Sequence, residues 1–219
     1  MSRFQSFGLK LAGAAALMLL ASTAQAHVGH GTHGLEQGLE HPLGLDHLLA
    51  MVAVGIWSAC AFPAGKVWRG PATFMLCLTA GAILGAAGAV GAGGGAGAGG
   101  LALQIGGVLG NSVGEILIAL SVVVFGAMLV GASKVPPLAG VALIAAGAFL
   151  HGLAHGAEAP EAGFSQYALG FLLTTAVLHG VGVLFALRVR HWLQERSDWL
   201  IAAMGLACSG AGVYLVTQI

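Results

Sequence analysis

The chain has 219 residues, of which 58% are hydrophobic and only 7% charged, and its mean hydropathy is +0.92. This composition lies outside the range of ordinary soluble domains and indicates an integral membrane protein, with the lipid bilayer as its first partner. The formal net charge of +0 gives no basic face for nucleic acid, so we expect no nucleic-acid partner.

Residues 1–26 have the pattern of a cleaved signal peptide. Arg3 and Lys10 form a basic start, an apolar run follows, and small residues mark a cleavage site that ends at Ala26. An uncleaved anchor is the alternative, but the apolar run is about half of the ~20 residues that a spanning helix requires. We therefore expect the mature chain to begin at residue 27, outside the cytoplasm.

Residues 27–40 form a polar, glycine-rich lead that carries His27, His30 and His33. If His27 is the free N-terminus, its amine and imidazole form a chelate, which the other two histidines can join. We interpret the lead as a flexible periplasmic arm that captures metal ions. A solvated tail without a function is the alternative.

Residues 41–219 are predicted to form an all-α bundle of about six transmembrane helices. All lysines and arginines after the leader fall in the loops on one side, which predicts a multi-pass protein of the bacterial inner membrane with both termini in the periplasm. Small residues at four-residue spacing, as at Gly152 and Gly156, predict close helix packing. Within the uncharged tract of residues 85–110, which is rich in glycine and alanine, Leu101 to Leu109 fit a loop, a re-entrant half-helix or an extension of the second span. The predicted spans are 43–63, 71–91, 112–132, 137–154, 165–187 and 198–217.

Histidines and carboxylates form two clusters at the outer ends of the first and fourth predicted spans. The second cluster has i, i+4 and i+7 spacing, so its side chains share one helical face. Together the clusters offer nitrogen and oxygen ligands that suit nickel, cobalt, zinc or copper(II). Histidines that only bind backbone at helix ends are the alternative. The clusters are His41, Asp46 and His47, and His151, His155 and Glu158.

Three further residues each have two possible roles. Asp46 either ligates the ion or orients a histidine. Glu115 is either a third-helix ligand or a carboxylate that stabilises a first helical turn. His179, past the midplane of the fifth span, is either a relay ligand on the exit path or a helix-to-helix hydrogen bond. The three cysteines lie in apolar segments and are expected to be packing residues without a disulfide framework.

These patterns favour secondary transport of a divalent metal ion over enzymatic activity, with no bound cofactor. The chain has no phosphate-binding loop for ATP, and an inside-negative potential can drive a cation inward. Because ligation requires neutral imidazole, we expect uptake to weaken below the ~6.5 reference pKa of histidine. The alternatives are an intramembrane zinc hydrolase and a metal sensor or chaperone.

The motifs His41-Pro42-Leu43-Gly44-Leu45-Asp46-His47 and His151-Gly152-Leu153-Ala154-His155-Gly156-Ala157-Glu158 resemble those of the HupE/UreJ family of hydrogenase and urease accessory proteins. The resemblance covers essentially the whole chain, including the leader and the histidine-bearing lead. It implies a permease for nickel, in some cases cobalt, that supplies metalloenzyme assembly. It also implies that the histidines and carboxylates of both motifs matter for uptake. Cytoplasmic metallochaperones and a homo-oligomer are compatible with this interpretation.

Overall fold

The computed structural model describes residues 34–91, 112–158 and 163–219, and within these ranges the chain is helical with no strand. The predicted signal peptide, His27, His30 and His33 lie outside the described residues, as does most of the 85–110 tract. Short 3-10 turns occupy His41–Leu43, Ala64–Lys66 and Gln194–Arg196. The helices are α1 (Leu35–Glu40), α2 (Leu45–Ala61), α3 (Arg69–Gly91), α4 (Ser112–Val130), α5 (Pro137–Glu158), α6 (Phe164–Leu193) and α7 (Ser197–Val216).

Helices α3 to α7 match the predicted second to sixth spans, and each is long and apolar enough to cross a membrane. The first span differs, since Leu35–Leu43 and Leu45–Ala61 form a pair bent by 73°, and the pair counts as a sixth span if it is taken as one. Large apolar side chains are exposed around the outside, such as Leu76 at 72% and Leu138 at 83%, which suits contact with lipid. The predicted all-α membrane bundle is confirmed.

The predicted flexible lead is wrong for its last residues, because Leu35–Glu40 form helix α1. This helix packs against α6 at Gly38, where a Cβ would overlap the backbone of Tyr167, and at Gly170, where a Cβ would overlap the carbonyl oxygen of Leu35. Tertiary contact thus holds a helix of only 6 residues, which would be unstable in isolation. The sequence pattern of residues 27–40 contains no sign of this contact.

Glycines bring the main helix pairs into backbone contact. The most extensive helix contacts are α3 with α5, α4 with α7 and α2 with α6. A Cβ on Gly152 would overlap the carbonyl oxygen of Leu78, and one on Gly156 would overlap that of Ala82, so the predicted close packing holds at both glycines. On α6, a Cβ on Gly182 would overlap the carbonyl oxygen of Val52. Backbones therefore approach closely where lipid offers no hydrophobic driving force between helices.

The two ends of the bundle differ in charge. The lysines and arginines of the described residues lie at the end formed by the α2–α3, α4–α5 and α6–α7 connections. There the Arg190 guanidinium donates a hydrogen bond of 2.6 Å to the carbonyl oxygen of Ala59 in the last turn of α2, where the helix dipole favours a cation. The opposite end holds α1, the bend and the histidine motifs.

Candidate metal centre

The bend between α1 and α2 positions the first histidine. Pro42 lies at the start of the 3-10 turn, where its missing N–H costs no hydrogen bond, and Gly44 is extended with φ −53° and ψ 145°. The Thr174 hydroxyl of α6 donates to the carbonyl oxygen of Leu39 at 2.9 Å and fixes the end of α1. As a result, His41 lies over the first turn of α2 instead of continuing away from it.

Three imidazoles from separate elements converge at this point, and we call His41, His47 and His155 the histidine triad. One ring nitrogen from each lies within 4.8 Å of the other two. The ring centroids are 5.1 Å apart for His41 and His47, 4.7 Å for His41 and His155, and 4.5 Å for His47 and His155. His47 is 3% exposed and His155 is 9% exposed, so the triad is largely shielded from water.

Asp46 orients one member of the triad. Its Oδ1 accepts hydrogen bonds from Nδ1 of His47 at 2.7 Å and from the His47 backbone N–H at 2.8 Å. A carboxylate can only accept, so Nδ1 of His47 carries the proton and its Nε2 presents a lone pair to the triad. Of the two roles left open for Asp46, the geometry matches the orienting one.

The contact between His47 and His155 is a hydrogen bond. Their Nε2 atoms are 2.6 Å apart, and the lone pair on His47 requires His155 to be the donor. A tetrahedral ion with metal–nitrogen bonds of ~2.0–2.1 Å would hold these atoms about 3.3 Å apart. An ion held by both atoms would therefore replace this hydrogen bond and would require the two Nε2 atoms to separate by about 0.7 Å.

His151 and His179 lie deeper and outside the triad. The His151 ring centroid is 5.4 Å from that of His47, and its Nδ1 donates to the carbonyl oxygen of Gly147 at 2.9 Å. His179 is 1% exposed, and its Nδ1 donates to the carbonyl oxygen of Thr175 at 2.7 Å. The sequence predicted His151 and His155 on one face, and in the structure both rings lie near His47, at 5.4 Å and 4.5 Å, although only His155 joins the triad.

Aromatic side chains of α6 form a wall that the sequence analysis missed. The Phe171 ring centroid lies 5.5 Å from His41, 6.1 Å from His47 and 5.9 Å from His155. Tyr167, one turn earlier, lies 5.9 Å from His41. A cavity of about 100 Å³ with apolar walls opens beside His155, between α3, α5 and α6. The sequence does contain a pattern that indicates this wall. Tyr167, Phe171 and His179 are separated by four and eight residues, a spacing that places them on one face of α6.

Of the two glutamates predicted as ligands, the structure describes the side chain of Glu115 alone. Glu115 is exposed in the first turn of α4 and is not part of the triad, so its position matches the alternative of a first-turn carboxylate. Glu158 is the last residue of α5, and its side chain lies outside the described part of the structure.

Three imidazole nitrogens with an orienting carboxylate form a donor set for divalent transition metals. Three ligands leave coordination positions open for water or for a further donor.

The sequence matches the family described as HupE / UreJ protein over residues 15–92 and 95–215. It is similar to Protein HupE of Rhizobium leguminosarum bv. viciae, with 34% identity over 177 residues that cover 80% of this chain and 81% of that protein. No solved structure is a significant match.

Proposed function

Since this chain belongs to the HupE/UreJ family, we propose that it is a permease that carries a divalent transition-metal ion, nickel or cobalt, into the cytoplasm for metalloenzyme maturation. The observation that carries the proposal is the histidine triad, three convergent imidazoles at one end of a membrane bundle. Ionisable groups at membrane depth are costly and are therefore expected to serve a function. An ion-binding function accounts for all three histidines together.

The charge distribution supports a direction of transport. The end that carries the lysines and arginines is the cytoplasmic end by the positive-inside rule, so the triad faces the periplasm of the inner membrane. Entry of two positive charges down a potential of 100 mV releases about 4.6 kcal/mol. Secondary transport without ATP is therefore sufficient for uptake, and the protein acts as a carrier with no catalytic role.

The predicted arm extends this proposal. His27, His30 and His33 precede α1, the helix that leads directly to His41. An arm of this kind raises the concentration of metal near the triad and delivers ions to its first imidazole.

Uptake of radiolabelled nickel and cobalt by a transport-deficient bacterium that expresses this chain tests the proposal. We expect accumulation with the wild-type protein, loss with His47→Ala and with His155→Ala, and no change with His191→Ala. His191 is an exposed histidine at the opposite end of the bundle and serves as the matched control. Wild-type cells that accumulate no more metal than empty-vector cells, with the protein present in the membrane, would contradict transport.

A zinc-dependent intramembrane hydrolase is the second candidate, because three histidines with an open position can also activate water. The apolar cavity beside His155 would then be its substrate cleft. Purified protein loaded with zinc and incubated with lipids and membrane peptides distinguishes the two functions. Turnover that is lost in His155→Ala favours the hydrolase, whereas nickel uptake without turnover favours the permease. Nickel binding without either activity would indicate the sensor or chaperone alternative.

A further inference from the structure

Several buried polar atoms in the interior of this bundle have no hydrogen-bond partner. They include Nε2 of His151, Nε2 of His179 and the hydroxyl of Thr175. Unpartnered buried polar atoms are rare in folded proteins and require an explanation. The requirement is stronger in a bilayer, where no surrounding water can satisfy them.

His151 and His179 share a second feature that fixes which nitrogen is available. In each ring, Nδ1 donates to the carbonyl oxygen four residues earlier on the same helix, at 2.9 Å for His151 and 2.7 Å for His179. This bond fixes the tautomer and leaves the Nε2 lone pair free to accept a ligand. A purely structural role would require only the hydrogen bond from Nδ1. It gives no reason why the other nitrogen, Nε2, is buried without a partner in both rings.

The two rings also continue inward from the triad. His151 lies 5.4 Å from His47, and the Phe74 ring lies 5.9 Å from His151 and 4.8 Å from His179. On α6, His179 follows Phe171, which borders the triad, by eight residues, or about 12 Å at the helical rise of ~1.5 Å per residue. Thr175 lies halfway between Phe171 and His179. The unpartnered atoms therefore lead from the triad toward the middle of the bundle.

We propose that His179, reached through His151, is an inner binding position for the transported ion, with the Thr175 hydroxyl as an accessory oxygen donor. This inference rests on the proposed transport function and deepens it by defining the route beyond the triad. Imidazole nitrogen dominates the donors along this route, so it selects transition metals over magnesium and calcium, which prefer oxygen ligands. The ion passes from the triad, which offers three imidazoles, to inner positions that offer one imidazole each. Its affinity for the inner position is therefore low enough for release.

A soft ligand at position 179 tests the assignment directly. Purified full-length His179→Cys protein is titrated with cadmium, and ultraviolet thiolate-to-cadmium charge-transfer absorption above the wild-type level is the readout. Val177→Cys is the matched control, because Val177 is 63% exposed on the same helix at nearly the same depth. We expect absorption above the wild-type level in His179→Cys and no such increase in Val177→Cys. His151→Cys provides a second variant if His179→Cys does not fold, and we expect the same absorption from it.

Metal preference is the second readout. In proteoliposomes, His179→Cys should raise the ratio of cadmium to nickel uptake by about tenfold, because thiolate favours the softer ion. A structural role for His179 would leave this ratio unchanged. Folded His179→Cys protein without the absorption would overturn the inner position while wild-type nickel uptake still supported transport. Absorption in His179→Cys without any wild-type uptake would instead support the inner position and contradict the transport function.

Discussion

Asp46 acts on the triad through the side chain of His47. Its Oδ1 accepts hydrogen bonds from Nδ1–H and from the backbone N–H of His47, and its side chain is 31% exposed beside a ring that is almost fully buried. Such carboxylate–histidine pairs raise ligand basicity and hold the ring in the orientation that ligation requires. We therefore expect the carboxylate to contribute to metal affinity through His47, although it is not one of the three convergent ligands.

We expect Asp46→Asn to lower the affinity of the purified protein for nickel by about 10- to 100-fold, the usual effect of losing such an orienting partner. Equilibrium dialysis with radiolabelled nickel measures the change. Asp198→Asn, at the opposite end of the bundle, should leave the affinity within about twofold of wild type. Equal affinities for Asp46→Asn and the wild type would show that Asp46 does not orient His47 for binding.

Helix α6 offers two neighbouring glycines with opposite surroundings. A Cβ on Gly182 would overlap the backbone of Val52, whereas a Cβ on Gly180 would have nothing within 4 Å. Gly182 therefore allows the backbones of α2 and α6 to approach closely, whereas Gly180 has no such role and only lowers the stability of the helix.

Gly182→Ala should therefore lower the free energy of unfolding by about 1–3 kcal/mol through overpacking. Gly180→Ala should raise it by about 0.5–1 kcal/mol, because alanine is the better helix former. Thermal unfolding in detergent, followed by circular dichroism, measures both. A similar change in both variants would mean that the α2–α6 crossing does not depend on Gly182.

The tight turn between α6 and α7 contains a strained residue. Gln194 has φ 45° and ψ −116°, a conformation that a residue with a side chain rarely adopts. Gln194→Gly removes the clash with Cβ and should stabilise the protein by about 1 kcal/mol, measured as a rise in the unfolding temperature. Ser197→Gly, in the first turn of α7, is the control and should destabilise. A fall in stability for Gln194→Gly would show that its side chain matters more than its backbone strain.

The spans could be predicted because hydropathy over about 20 residues determines membrane insertion. The shared face of His151 and His155 could also be predicted from helical spacing alone. The position of His41 could not, because it depends on a bend at Gly44 that is held by α6, a segment more than a hundred residues away. The same long-range contact explains why α1 and the aromatic wall were missed, since local periodicity carries no information about which helices meet.

The sidedness of the whole molecule can be tested with two engineered cysteines. Gly65 is exposed with open space around it at the lysine- and arginine-rich end, and Ser165 is exposed at the end that holds the triad. In intact spheroplasts, a membrane-impermeant maleimide should label Ser165→Cys and not Gly65→Cys, because positive loops stay in the cytoplasm. Inverted vesicles should give the reverse pattern. Labelling of Gly65→Cys from outside would place the triad on the cytoplasmic side.

The triad joins residues that are far apart in the order of synthesis. His47 and His155 are separated by 108 residues, which a ribosome adds in about 5–20 s at ~5–20 residues per second. During that interval the membrane holds only the two imidazoles of the first motif, without their third partner or the aromatic wall of α6. A partly inserted chain therefore has no complete histidine triad. If the chain is the metal carrier proposed above, we expect unfinished molecules not to leak metal ions, because the triad is completed only when α5 has been synthesised.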